Sequence, residues 1–202
     1  MKKLIVGLLL GFFLLFQSTY VNATAIDFSS VNNNFTNGSW SLGFEFSTNT
    51  DIIVTSLGFY DDFKNGLTEA HDIGIYDNTG TLLVSSTVDN TSSLDGWFRW
   101  VSISDTFLGA GSNYFIAAVT GSENYTWDPN GFIVDPNINF IADAYIQSTI
   151  LTMPNNSNNV RGIFGANFDY KTVAPVPEPA TLLLFGFSIL GIAGVSRRKL
   201  GK

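Results

Sequence analysis

The sequence predicts an all-β protein, a single antiparallel sandwich or jelly roll carried between two apolar ends. Three observations predict it. Between Thr24 and Thr172 no 3.6-residue apolar period lasts beyond a turn or two. Apolar residues instead alternate with polar ones in short runs: Trp40, Leu42, Phe44 and Phe46 share one face, and Ser41, Gly43, Glu45 and Ser47 the other. Polar turns such as Asp77-Asn78-Thr79-Gly80 separate the runs.

The elements follow in chain order. Residues 1–25 read as a secretory signal peptide. Lys2 and Lys3 supply its positive start, Leu4 to Phe16 its apolar centre, and Val21-Asn22-Ala23 or Ala23-Thr24-Ala25 a small-residue cleavage site. The apolar run is short for a span, which argues against an uncleaved membrane anchor. Thr24 to Gly38 is a polar, Asn-rich lead-in with room for an edge strand. Strands are expected at Trp40–Ser47, Ile52–Tyr60, Asp72–Tyr76, Thr81–Val88, Trp97–Ser104, Asn113–Val119, Asn139–Ile146 and Gly162–Tyr170. Met153 to Asn159 is expected to be a loop.

The sandwich domain is thus placed at residues 26–172. Residues 173–180 form a Pro-rich stem, extended and stiff. An apolar transmembrane helix is expected over residues 181–196, followed by a basic tail over 197–202. Gly186, Gly191 and Gly194 suit a membrane helix better than a soluble one. The run is apolar all round and ends at Arg197, Arg198 and Lys199, which argues against a buried core helix. Basic residues lie outside both apolar runs, so both ends face the cytoplasm and the domain between them is exported.

Two resemblances rest on these residues. Pro177-Glu178-Pro179, flanked by Val176 and Ala180, then an apolar span, then Arg197-Arg198, resembles the PEP-CTERM sorting signal of Gram-negative bacteria. That resemblance implies cutting of the tail by an exosortase after signal peptidase has acted, in a cell that makes exopolysaccharide. It implies an inner-membrane intermediate followed by a cell-surface or extracellular location. The second covers roughly Trp40 to Val119. "LGFYDDFKNGLTEAHDIGIYDNTGTLLVSSTV" and "GWFRWVSISDTFLGAGSNYFIAAV" resemble a DUF4082-like β-sandwich, on the Tyr60-Asp61-Asp62 turn, Gly66-Leu67, His71 before Gly74-Ile75-Tyr76, and Phe98-Arg99-Trp100. It implies a fold class and no activity.

Composition narrows the chemistry. The chain has no Cys, which excludes a disulfide framework, thiolate metal sites and a Cys nucleophile. Six of its ten basic residues lie in the two end segments. From Thr24 to Ala180 only Lys64, Arg99, Arg161 and Lys171 stand against all seventeen acids, a net −13. Such a domain repels phosphate backbones, so no nucleic-acid partner is expected. Cations and neutral sugars are the small partners that fit.

Four sets of residues could carry function. Asp61, Asp62, Asn65 and Glu69 offer several oxygens to Ca²⁺ from a Gly-containing loop, but Lys64 intrudes and the EF-hand spacing is missing. The competing reading is a turn whose Asp and Asn side chains bond their own backbone. His71, the single His, has no G-x-S-x-G partner and is read as a group that bonds backbone. Glu45, Glu69 and Glu123 are the carboxylates available for glycoside hydrolysis, which needs two at a fixed separation. Tyr125 and Trp127, in a stretch expected to be a loop, could stack on sugar rings, and one of Trp97 and Trp100 should point inward. The reading that results is a non-enzymatic exported module associated with exopolysaccharide and needing no cofactor. A calcium-stabilised structural module and a secreted glycan hydrolase are the alternatives.

Overall fold

The computed structural model describes residues 22–31, 33–127, 131–158 and 162–173. The sorting-motif and transmembrane expectations, and the signal-peptide expectation up to residue 21, therefore lie outside the described residues; the last four residues of the expected signal peptide, 22–25, are described. Among those described, no helix is long and apolar enough to cross a membrane.

The described chain is built of strands: β1 (Asn22–Thr24), β2 (Ile26–Phe28), β3 (Asn34–Phe35), β4 (Trp40–Thr48), β5 (Ile52–Tyr60), β6 (His71–Asp77), β7 (Leu82–Val88), β8 (Ser93–Asp95), β9 (Phe98–Leu108), β10 (Asn113–Val119), β11 (Tyr125–Trp127), β12 (Phe132–Val134), β13 (Ile138–Gln147), β14 (Asn156–Asn158), β15 (Ile163–Phe164) and β16 (Ala166–Thr172). Two large antiparallel sheets form the body. One is ordered β1-β16-β5-β9-β8 and the other β14-β13-β4-β10-β6-β7. Two small sheets, β15-β11-β3 and β12-β2, complete the fold. The predicted all-β sandwich is the observed fold class.

Alternation explains most of the packing. Phe44 and Phe46 of β4 are fully buried, and Ile116 of β10 and Ile73 and Ile75 of β6 continue their layer. The facing layer holds Ile52, Val54, Leu57 and Phe59 of β5 with Ala166, Phe168 and Tyr170 of β16. On β5 the inward residues switch from even to odd numbers. A register shift at Thr55 does this: Val54 pairs with Tyr170 and Ser56 with Asp169. One extra residue turns the strand over, as a β-bulge must. The core is unusually aromatic, with Phe46 and Phe168 at 4.8 Å and Phe132 and Phe164 stacked at 4.8 Å. Such pairs add about 0.5–1.5 kcal/mol beyond their buried area.

Hairpin chemistry fixes the register of β6 and β7. Asp77 Oδ1 accepts from the Thr79 and Thr81 amides at 2.8 and 2.9 Å, and Gly80 takes φ +90°. The positive φ is one that glycine adopts at little cost.

Three expectations are corrected. The predicted loop Met153–Asn159 contains β14, which pairs with β13. The run Gly162–Tyr170 is two strands in different sheets, β15 and β16, broken at Gly165. The lead-in supplies two short strands, β2 and β3, both in the small sheets, and the edge strand beside β16 is β1, which lies within the expected signal peptide. Ahead of β14, residues 148–155 form a strap over the outer face of the six-stranded sheet. Ser41 Oγ donates to Thr152 O at 2.6 Å, and a Cβ on Gly74 would lie 3.0 Å from Leu151. This explains why Ser41 and Gly43, on the polar face, are nonetheless buried.

Candidate functional site

The loop between β5 and β6 is organised by Asp61, which is fully buried. Its Oδ1 accepts from the Asn65 amide at 3.1 Å, and its Oδ2 accepts from the Gly66 amide at 3.1 Å and from Arg99 Nε at 2.7 Å. Arg99 is held in turn by the carbonyls of Asn90 and Ser92, both at 3.0 Å. Buried charges need this kind of pairing, and a charged bond to backbone amides is among the strongest. The same loop places Lys64 at φ 58° with its Nζ 3.9 Å from the centroid of the Trp97 ring.

The remaining polar residues of this stretch diverge. Asp62 Oδ2 accepts from Asn124 Nδ2 at 2.7 Å. Asn65 is exposed, and its part in the loop is its backbone amide. Glu69 Oε1 accepts from the Ser122 amide and hydroxyl, and these bonds hold its carboxyl below the usual range. Glu123 Oε1 reaches back to the Thr68 amide and hydroxyl. The two glutamates thus staple the β5–β6 loop to the β10–β11 turn. Among the described residues no three His, Asp or Glu side chains are grouped to hold a metal ion.

His71 bonds the backbone through Nδ1 and Val119 O at 2.8 Å, and its ring stacks on Phe59 at 3.7 Å. It is fully buried with Nε2 unpartnered, and burial pushes its pKa below the ordinary value. Glu45, the third glutamate, accepts from Asn113 Nδ2 at 2.8 Å on another part of the surface. Trp97 and Trp100 are both half-buried. Trp97 Nε1 donates to Phe28 O at 3.0 Å, and Trp100 lies over Gly58, where an added Cβ would sit 2.6 Å from its ring. Both pack against the margin of the core, Trp97 on Phe28 and Tyr60 and Trp100 on Phe98.

A cleft of about 240 Å³ opens where the small sheet β15-β11-β3 meets the end of β4. The row of side chains that fills the core at Phe44 and Phe46 reaches solvent here, at Trp40. Trp40 meets Tyr145 of β13 edge-to-face at 5.9 Å. Phe35 and Tyr125, paired across β3 and β11, lie 4.7 Å apart. Asn37 ties these residues together: its Oδ1 accepts from Trp40 Nε1 and from the Tyr125 hydroxyl, both at 2.7 Å. The expected loop residue Tyr125 is therefore a strand residue, 4 % exposed, that lines a wall of the cleft. Trp127 lies at the end of the same strand, and its side chain falls outside the described residues. Sequence reasoning passed over Trp40, Phe35 and Tyr145. The signal that could have found Trp40 is its place at the first position of a strand, where an inward aromatic meets the open end of a sandwich.

Two family models match the chain. The family model of a domain of unknown function, DUF4082, matches residues 28–168, and that of the PEP-CTERM protein-sorting motif matches residues 175–199. No curated protein matches the chain. The smaller match contains Pro177-Glu178-Pro179, Arg197 and Arg198, and such motifs mark exported proteins for membrane-associated processing by an exosortase. The larger takes in every strand from β4 to β15, so the chain belongs to the DUF4082 family and is an exported member of it, sorted through a PEP-CTERM tail.

Proposed function

We propose that the domain is a non-catalytic module which, after its tail is cut, remains at the cell surface or in the extracellular matrix by associating with exopolysaccharide. The observation that carries this reading is how the carboxylates are used. Glu45, Glu69 and Glu123 each accept a hydrogen bond from a neighbouring side chain or loop, and Asp61 is sealed behind Arg99. A hydrolase needs two carboxyl groups facing one bond, one of them protonated at working pH. Glu69 has the opposite tuning, since its hydrogen bonds favour the ionised form. Export through a sorting tail and a strongly acidic domain add support for a life among neutral, hydrated polymers.

The test uses the processed domain and cell-free exopolysaccharide from the producing strain. Co-sedimentation with the polymer, without release of reducing sugar, is the expected result. Reducing sugar that disappears in Glu69→Gln would overturn the non-catalytic part. In cells, Glu178→Ala should leave the uncut chain in the membrane fraction.

A further inference from the structure

We infer that the cleft at Trp40 is a binding site for a single uncharged pyranose residue of a polysaccharide. The inference rests on the matrix reading above and names its site and ligand class. Three observations carry it.

The first is the lining. Trp40, Tyr145, Phe35 and Tyr125 surround the cleft, and among the described residues no charged side chain lines it. In a domain of net −12 over residues 26–172, a cleft whose described lining carries no charge discriminates. A polyanion would be repelled by the surrounding field, and a cation would find no carboxylate among the described lining residues. A neutral ligand meets neither obstacle.

The second is the mixture of surfaces. A pyranose ring presents an apolar face of C–H groups and a rim of hydroxyls. Half-buried aromatic side chains match the face. The exposed Asn37 matches the rim. Its Oδ1 is occupied by Trp40 Nε1 and the Tyr125 hydroxyl, while its Nδ2 donates to no atom of the described residues. The two protein bonds fix the amide so that both N–H donors are presented beside the aromatic walls. A small number of placed polar groups on an apolar cleft is the usual composition of a ligand site.

The third is size. About 240 Å³ equals the space of about eight water molecules at about 30 Å³ each, room for one ring and not for a chain of them. Binding is therefore expected to be weak for one residue and to gain strength when many domains meet one polymer.

The experiment divides the exopolysaccharide of the producing strain by anion exchange into neutral and acidic fractions. The processed domain is titrated with each. Asn37→Asp is the main variant, because a carboxylate still accepts from Trp40 Nε1 and the Tyr125 hydroxyl while both amide donors are lost. Unchanged near-ultraviolet circular dichroism and melting establish that it is folded. The expected result is binding to the neutral fraction, weakened about tenfold or more in Asn37→Asp and less steeply in Trp40→Phe. Binding to the neutral fraction that neither variant alters would overturn the cleft and leave the matrix reading standing. Binding confined to the acidic fraction would overturn the neutral ligand. Binding to neither fraction would overturn the matrix reading itself.

Discussion

Replacing Asp61 by alanine removes the fully buried carboxylate at the start of the β5–β6 loop. Arg99 keeps its two carbonyl partners but loses its counter-charge, and its side chain is only 14 % exposed. The Asn65 and Gly66 amides lose their acceptor at the same time. Breaking a buried ion pair from one side costs about 3–5 kcal/mol, because the surviving charge cannot be rehydrated in place. At about 2–4 °C per kcal/mol for a domain of this size, Tm should fall by about 6–20 °C. The domain should still fold at room temperature, since a loss of that size lies within the about 5–15 kcal/mol typical of domains. Urea denaturation gives the free energy and differential scanning calorimetry the Tm. Asp61→Asn, which keeps an acceptor for the backbone amides, should lose less. Arg99→Ala in the Asp61→Ala background should cost much less than Arg99→Ala alone, because the two residues share one interaction. A loss below about 1 kcal/mol in Asp61→Ala would refute the reasoning, since a solvent-screened surface pair behaves that way. Calcium that stabilises the wild type and not Asp61→Ala would refute it differently, by making the loop a cation site.

The remaining predictions concern His71, Gly43 and Lys64. Burial holds the folded-state pKa of His71 below its ordinary 6.5, so unfolding takes up a proton between the two values. Its contribution to stability is complete above about 6.5 and is lost as pH falls through the folded value, a slope that urea melts between about pH 5 and 7 should record and His71→Phe should abolish. The carboxyls of Glu69, Asp77 and Asp89, all held below their ordinary values, contribute their own losses only at lower pH. Gly43→Ala should prevent folding, because a Cβ there would lie 2.1 Å from the backbone oxygen of Ile116 in the neighbouring strand; absence of a cooperative melt is the readout. Lys64→Ala should cost about 0.5–1 kcal/mol for the lost contact with the Trp97 ring. Lys64→Gly should be close to neutral, because relief of the positive φ offsets that loss.

How legible this was in the sequence depended on whether a feature was local. Strands β4 to β7 and β10 announce themselves by alternation and by turn chemistry at Asp77. The switch at Thr55 does not, because a bulge is a decision between neighbouring strands and leaves no period of its own. β14 has the sequence of a loop, because Asn156-Ser157-Asn158 has little strand propensity, and only its pairing with β13 makes it a strand. The Asp61 loop was legible as a turn that bonds its own backbone, but Arg99 is thirty-eight positions away and its arrival depends on the pairing of β5 with β9. The cleft was least legible. Trp40 obeys the core pattern, and what makes it a wall of a cleft is where the facing sheet stops. Phe35 sits in a polar lead-in with no pattern at all.

One consequence of the topology concerns force. β1 lies inside the expected signal peptide, so in the processed domain β16 is a sheet edge held by β5 alone, and the chain leaves through it. A pull on the tail therefore loads first the pairs nearest the exit, Thr172 with Ile52 and Lys171 with Ile53, and reaches Phe168 and Ala166 in the core last. The domain yields to its own tether from the rim inward.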